Sequence, residues 1–475
     1  MTITPDVEAQ IGSDMYALLE RMVMQLNARR PINRVRAHYY SSQNAYRDLG
    51  ISTPPHMRNL EVALGWPAKA VDALSRRVKH DGFVLPGSDI SSWGIDGIWS
   101  DNNMSLESKQ AHTSALIHSP TFIATTLGDV QAGEPEVMLS TFDAMSATGL
   151  WGPLNRQLRA WLGVIRCHDD GRFSRLVMLT GDMAYGITDV DGRWDVRAVR
   201  HGLGRVPVEV LRYRPRTDQP FGTSRITRPM MRLTDSALRT IVRSEVGAEF
   251  FSAPQRYLLG ADEEAFVGPN GEQKSTWDMV VGRILAIEGD DSDQLPTVGQ
   301  FPQVSMQPHT EHLRMWATLF AAESNMPVNS LGIVLDNPSS AEAIYAATRE
   351  LIEEAEDACE AFTSAWVRSM VTAVQLRERL ASPPEELKKL GVRWRDPAQL
   401  SRAAATDATM KQVEAGVLPA ESDVTLEALG YDDTTIQRIQ ADRRRATGRA
   451  TLNALREASA RKAAPAPEVT GVVGG

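Results

Sequence analysis

Apolar positions repeat at helical spacing most clearly in the second half of the chain. Residues 309–324 place Leu313, Trp316, Leu319 and Phe320 three and four apart, which predicts a helix. Residues 325–340 break that pattern with Pro327, Gly332 and an Asn337-Pro338 turn signal. Ser339 and Glu342 then form a capping box, so a new helix is expected over 340–380. One face carries Ile344, Leu351, Ala355, Phe362, Trp366, Met370 and Val374. Glu350, Glu353, Glu354, Glu356, Asp357 and Glu360 fall on the other. No Pro or Gly interrupts it before Ser382-Pro383. At 1.5 Å per residue it spans roughly 60 Å, several times the usual helix of about 11–12 residues. Such a helix is a spine across several layers.

Earlier in the chain, residues 11–29 read as an amphipathic helix with Met15, Leu18, Leu19, Met22 and Val23 inward. Arg30-Pro31 is expected to end it, and a second segment carries Tyr39 and Tyr40 as packing residues. Helices follow at 69–79 and 105–117, with a short strand at 82–84 between them. From 121 to 215 the period becomes two, which predicts strands at 121–126, 136–142, 160–167, 174–180, 184–189, 194–199 and 206–213. Asp169-Asp170-Gly171 and Asp189-Val190-Asp191-Gly192 are hairpin turn signals, and their glycines explain them as geometry rather than as cation sites.

Residues 222–251 are helical again. Arg225, Arg228, Arg232, Arg239 and Arg243 fall within an arc of about 60° at 100° per residue. Pro229 either kinks this helix or marks its true start. Residues 251–307 read as a small insertion between helices. It holds a strand (256–259), a Pro269-Asn270-Gly271 turn, a helix (276–285), an acidic loop (288–293) and a strand at 304–306. The acidic loop, with Glu288, Asp290, Asp291 and Asp293, lacks the spacing and closing glutamate of a calcium loop. Beyond Leu380 come short helices at 384–390, 397–415 and 422–429, then a basic helical segment over 432–462 and an Ala/Pro/Gly tail expected to be mobile.

Composition changes the picture in three ways. A length of 475 residues is enough for about three modules. The net charge of −9 argues against a protein that coats nucleic acid, though not against one past which DNA slides. Two distant cysteines, Cys167 and Cys359, give neither metal spacing nor a disulfide framework and suit a reducing compartment. Residues 1–10 show no signal-peptide pattern, and no apolar run of about 18 residues predicts a membrane span. There is no GxxxxGK[ST], no GxSxG and no HExxH; His309-Thr310-Glu311-His312 lacks a third ligand nearby. No catalytic residue, cofactor or metal site is expected, and a structural role is favoured over an enzymatic one.

The order of these parts resembles the portal proteins of tailed bacteriophages, in the long-tailed branch, most closely those of phages infecting actinobacteria. Gly204-Arg205-Val206-Pro207-Val208 ends the β-rich region, and Gly222-Thr223-Ser224-Arg225-Ile226 opens the next helix. Residues 322–327 precede a loop, and Ser339-Ser340-Ala341-Glu342-Ala343 opens the long helix. Trp394-Arg395-Asp396-Pro397, residues 411–416 and Leu429-Gly430-Tyr431 complete the resemblance.

The resemblance implies an α+β, mainly helical subunit of a portal-type ring. Its regions would be a wing (1–220), first stem helix (221–251), clip (252–307), second stem helix (308–324), tunnel loop (325–340), long wing helix (341–380), and crown with mobile tail (381–475). It implies a homo-oligomer, usually dodecameric, at one capsid vertex of the virion, assembled in the host cytoplasm. Double-stranded DNA would pass through its channel. Terminase and head–tail connector proteins would dock on the clip at Glu288, Asp290, Asp291 and Asp293, and major capsid and scaffolding proteins are further implied partners. Tunnel-loop residues Asn329, Ser330, Leu331, Val334, Asp336 and Asn337 would face DNA. That loop has Asp336 but no Lys or Arg, which suits a low-friction collar better than a grip. The arginine stripe would line the channel or pair with Glu311 and Glu323 of the second stem helix. The competing reading is a metal-dependent packaging nuclease whose carboxylates, near Asp290, hold Mg²⁺.

Overall fold

The structure is a computed structural model describing residues 5–43, 62–87, 90–251, 256–259, 297–300, 305–332, 341–398, 402–431 and 433–463. The chain divides into two units, Met1–Pro397 and Ala398–Gly475.

In the first unit, α1 (Pro5–Ile11) and α2 (Ser13–Tyr40) open the chain. The expected break at Arg30-Pro31 is not there: α2 runs straight through Pro31. An interior proline costs a helix about 3 kcal/mol, and contacts on both sides of it hold this one. Leu19, Met22, Val23 and Leu26 pack against a sheet. Arg30 Nε donates to the Met145 carbonyl at 2.8 Å, and Arg36 donates to the His118 carbonyl at 3.0 Å. Tyr39 and Tyr40 donate to Asp235 and Asp72, at 2.7 and 2.9 Å, and are packing residues as expected. Burial and the Asp72 carboxylate push the Tyr40 phenol up to about 12.

Next come α3 (Trp66–Ser75), β1 (His80–Val84), α4 (Ile95–Asp101), α5 (Met104–Ile117), β2 (Thr121–Leu127) and β3 (Val137–Phe142). The period-two region then builds β4 (Ala147–Gly152), β5 (Gln157–Cys167), β6 (Phe173–Leu179), β7 (Met183–Val190), β8 (Arg193–Arg200) and β9 (Val208–Leu211). Strands β4 to β8 form an antiparallel meander, and β2 lies between β3 and β9 in a second sheet. Strand β4 is absent from the sequence reading because Ala147-Thr148-Gly149-Leu150 is buried on both faces and shows no alternation. The acidic turns are structural. Asp170 accepts the Arg172 amide and Asp189 the Gly192 amide, with Gly171 and Gly192 at φ 80° and 84°.

The other α-helices and strands among the described residues of this unit are α6 (Arg228–Phe251), β10 (Arg256–Leu259), β11 (Thr297–Gln300), α7 (Gln307–Glu323), α8 (Ala341–Arg377) and β12 (Gly391–Trp394). Helix α8 is the expected spine. Leu351, Ala355, Phe362, Trp366, Met370 and Val374 are buried in one core with α3, α5, β2, β3 and the residues after β9. Strand β12 pairs antiparallel with β1, His80 opposite Trp394. The second unit holds α9 (Arg402–Glu414), α10 (Asp423–Ala428) and α11 (Asp433–Ala463). Ser422 caps α10 by accepting the Thr425 amide.

Two histidines sit under the spine, His112 fully buried and His80 half-buried. Trp366 Nε1 donates to His112 Nε2 at 2.9 Å, and His112 Nδ1 donates to the Val78 carbonyl at 3.2 Å, which fixes a neutral ring. His80 stacks on Trp99 with centroids 4.2 Å apart. Burial pushes both histidines down to about 3. The unfolded chain therefore takes up protons below about 6.5 that the folded chain refuses until about 3. The contribution of these two histidines is complete above pH 6.5 and falls as pH drops toward 3. Melting curves from pH 7 to 4 should show a falling Tm, with a shallower slope in His112→Gln. A Tm equally steep in both would acquit His112.

Candidate channel elements and the charge hub behind them

The two helices that resemble stem helices pack side by side. Met230 and Ala237 of α6 share a core with Ala317, Phe320 and Ala321 of α7, and Trp316 Nε1 donates to Thr240 Oγ1 at 3.2 Å. Between them, β10 and β11 pair antiparallel, Arg256 opposite Gln300. The expected strand at 304–306 gives way to this earlier one. Ser305 and Met306 are not strand, and the Met306 carbonyl accepts the His309 and Thr310 amides at the start of α7.

The arginine stripe loses one member. Helix α6 begins at Arg228, with Pro229 in its first turn, so Pro229 marks the start rather than a kink. Residues 222–226 are pinned to neighbouring backbone instead. Thr223 N donates to the Tyr213 carbonyl and Arg225 N to the Leu116 carbonyl. Gly222 has φ 76°, and any Cβ there would strike the Tyr213 carbonyl. Arg225 is thus buried off the helix, not on its stripe. Arg228, Arg232 and Arg243 are exposed and Arg239 is half-buried. Arg232 pairs with Asp235 of its own helix at 3.3 Å, and Arg239 donates to Ser236 Oγ at 2.8 Å. Within the chain, the proposed compensators Glu311 and Glu323 instead accept from Gln307 and Thr227.

Arg225 joins four parts of the chain. Its Nε donates to the Ala70 carbonyl at 2.9 Å, one terminal nitrogen to the Ser324 carbonyl at 2.8 Å, and the other to the Glu354 carboxylate. Glu354 also accepts from the Tyr213 hydroxyl and from Asn325 Nδ2 at 3.2 Å, with the half-exposed Arg214 3.2 Å away. Burial alone would raise the Glu354 carboxyl. Arg225, the bonds from Arg225 and Tyr213, and Arg214 outweigh it and hold the group below its ordinary value. The pair is fully hydrogen-bonded, which a buried ion pair requires. Sequence reading put Glu354 on the acidic face. The available signal was its place three residues after Leu351 and four before Ala358, both buried, at the border of the apolar stripe.

The hub holds the base of the loop after α7. Ser324 closes the helix, Asn325 turns the chain at φ 51°, and a 3₁₀ turn follows at Val328–Leu331. Asn329 and Ser330 are exposed. Leu331 is not available to DNA: it is buried beside Trp66, Met230, Phe320 and Met326. An apolar residue at a loop's edge gains more from that core than from water. Val334, Asp336, Asn337 and the Ser339 cap lie outside the described residues, as do Glu288, Asp290, Asp291 and Asp293. Among the described residues, no three His, Cys, Asp or Glu side chains are grouped to hold a metal ion.

Residues 21–449 match the family described as "Phage portal protein, SPP1 Gp6-like". The chain therefore belongs to the phage portal protein family, a structural class of virion component. Similar relatives are the portal proteins of Mycobacterium phage D29 and Mycobacterium phage L5. Each is 30% identical over 393 residues, covering 81% of this chain and 79% of the relative. Among solved structures, a chain from the virion of a native gene transfer agent particle is 14% identical with a TM-score of 0.42. One from the neck of that native particle, computed with C12 symmetry, is 15% identical with the same score. Each likeness covers 83% of this chain and 98% of the other, and both are distant.

Proposed function

We propose that this chain is one subunit of a dodecameric, non-enzymatic ring at a single capsid vertex, the channel for packaging and ejecting double-stranded DNA. The family match over residues 21–449 carries this reading. In it, residues 1–220 form the wing, α6 and α7 the stem, 252–307 the clip, 325–340 the tunnel loop, α8 the wing spine, and 381–475 the crown. Asn329, Ser330, Val334, Asp336 and Asn337 face DNA. Terminase docks on the clip during packaging and connector proteins afterwards, through Glu288, Asp290, Asp291 and Asp293. Capsid and scaffolding proteins contact the ring in the host cytoplasm, where it assembles.

Light scattering and negative-stain imaging of the purified protein test it. A ring of several hundred kilodaltons, formed without nucleotide or metal, is expected. A small species with Mg²⁺-dependent DNA cleavage would favour the nuclease reading instead.

The stem stripe serves assembly in this proposal. Arg232→Ala and Arg239→Ala should lower the fraction of protein in rings more than they change DNA filling of assembled heads. Exposed pairs contribute only about 0–1 kcal/mol each, but each recurs in every subunit. Intact rings with poor DNA retention would move the stripe into the channel.

A further inference from the structure

Among the described residues, two charged stripes of this chain face no stripe of opposite sign. On α6, Arg228, Arg232, Arg239 and Arg243 share one arc, relieved by Asp235. On α8, Glu350, Glu353, Glu356, Asp357 and Glu360 are all exposed and occupy about 120° at 100° per residue. Two cations of this helix share that arc among the described residues: Arg349, which pairs with Glu353 at 2.9 Å, and Arg368 beyond the acidic stretch, which pairs with Glu209 at 2.9 Å. Described residues show no ion pair between the two stripes, nor one for Glu350, Asp357 or Glu360. Like charges spaced three and four apart on a helix repel, so each stripe stands destabilised until an opposite charge faces it.

We infer that the acidic stripe of α8 docks on the basic stripe of α6 from a second copy of this chain. Three observations support it. The signs are opposite. The acidic stripe is short enough to lie along the basic one: Glu350 to Glu360 covers roughly 15 Å of helix and Arg228 to Arg243 roughly 22 Å. The two stripes lie on different elements of one chain, as a head-to-tail interface that closes into a ring requires. DNA suits the acidic stripe poorly, since phosphate and carboxylate repel. The inference rests on the ring proposed above and supplies one of its contacts. Its partner for the arginines replaces Glu311 and Glu323, which are engaged inside the chain.

Charge reversal tests it with two variants. Variant one carries Glu353→Arg, Glu356→Arg, Asp357→Arg and Glu360→Arg; variant two carries Arg228→Glu, Arg232→Glu and Arg243→Glu. All seven side chains are exposed, so circular dichroism of each should match the parent. Each variant alone brings like charges together and should lose the ring peak in light scattering. Mixed in equal amounts, they offer opposite charges at every contact of an alternating even-numbered ring, and the peak should return. Rings from either variant alone, or no recovery on mixing, would overturn the pairing while parent rings keep the portal reading intact. If a variant fails to fold, Asp357→Asn with Glu360→Gln decides. Its rings should resist salt titration differently from the parent's, and an unchanged salt midpoint would overturn the inference.

Discussion

Glu354→Ala should lower the stability of the folded chain by about 3–5 kcal/mol, because it leaves the buried Arg225 guanidinium without its counter-charge. Arg225 has 2% of its surface exposed, so water cannot replace the carboxylate without opening the core. The same deletion removes the acceptor of the Tyr213 hydroxyl and of Asn325. Pairing Arg225→Met with Glu354→Leu should cost much less than either deletion alone, since no buried charge is then stranded. Denaturant melts of the three variants and the parent measure this. A loss for Glu354→Ala no larger than the roughly 1 kcal/mol of a surface pair would mean that water reaches the hub.

Trp366→Ala should cost a similar amount, about 3–5 kcal/mol for truncating a buried aromatic. Trp366 is 1% exposed and packs edge-on against Trp99 and His112, with ring centroids 5.3 and 5.7 Å away. Its removal leaves a cavity beside Phe362 and deprives the buried acceptor His112 Nε2 of the N–H that donates to it. Trp366→Phe restores part of the volume but not the N–H, so its melting temperature should fall between those of the parent and the alanine variant. An unchanged melting curve for Trp366→Ala would contradict this packing.

What could be read from the sequence follows from which forces are local. The spine was legible because Leu351, Ala355, Phe362, Trp366 and Met370 repeat at helical spacing with no Pro or Gly among them. Most of the sheet was legible because β5 to β8 alternate between hairpin turns that Gly171 and Gly192 mark. The portal resemblance, carried by short motifs in a fixed order, agrees with the family match. The failures have nonlocal causes. Pro31 signals a helix end, but Arg30, Asn33 and Arg36 bind backbone from distant segments and hold α2 together. Strand β12 is four residues whose partner lies in the first hundred. Glu354 looks like its acidic neighbours until Arg225 arrives from a different part of the chain. Leu331 looks like loop until the core under α6 and α7 claims it.

The ladder between β1 and β12 bears on how the protein is made. His80 leaves the ribosome more than three hundred residues before Trp394, its cross-strand partner. At about 5–20 residues per second, synthesis leaves that edge unpaired for roughly 15–60 s. During this interval His80, Phe83 and Trp99 lack the cover that Trp366 and Trp394 later provide. An uncovered strand edge beside aromatic rings is a template for unwanted pairing. The nascent chain therefore has its greatest need of chaperones before β12 emerges, and truncations ending short of Trp394 should be the ones that aggregate.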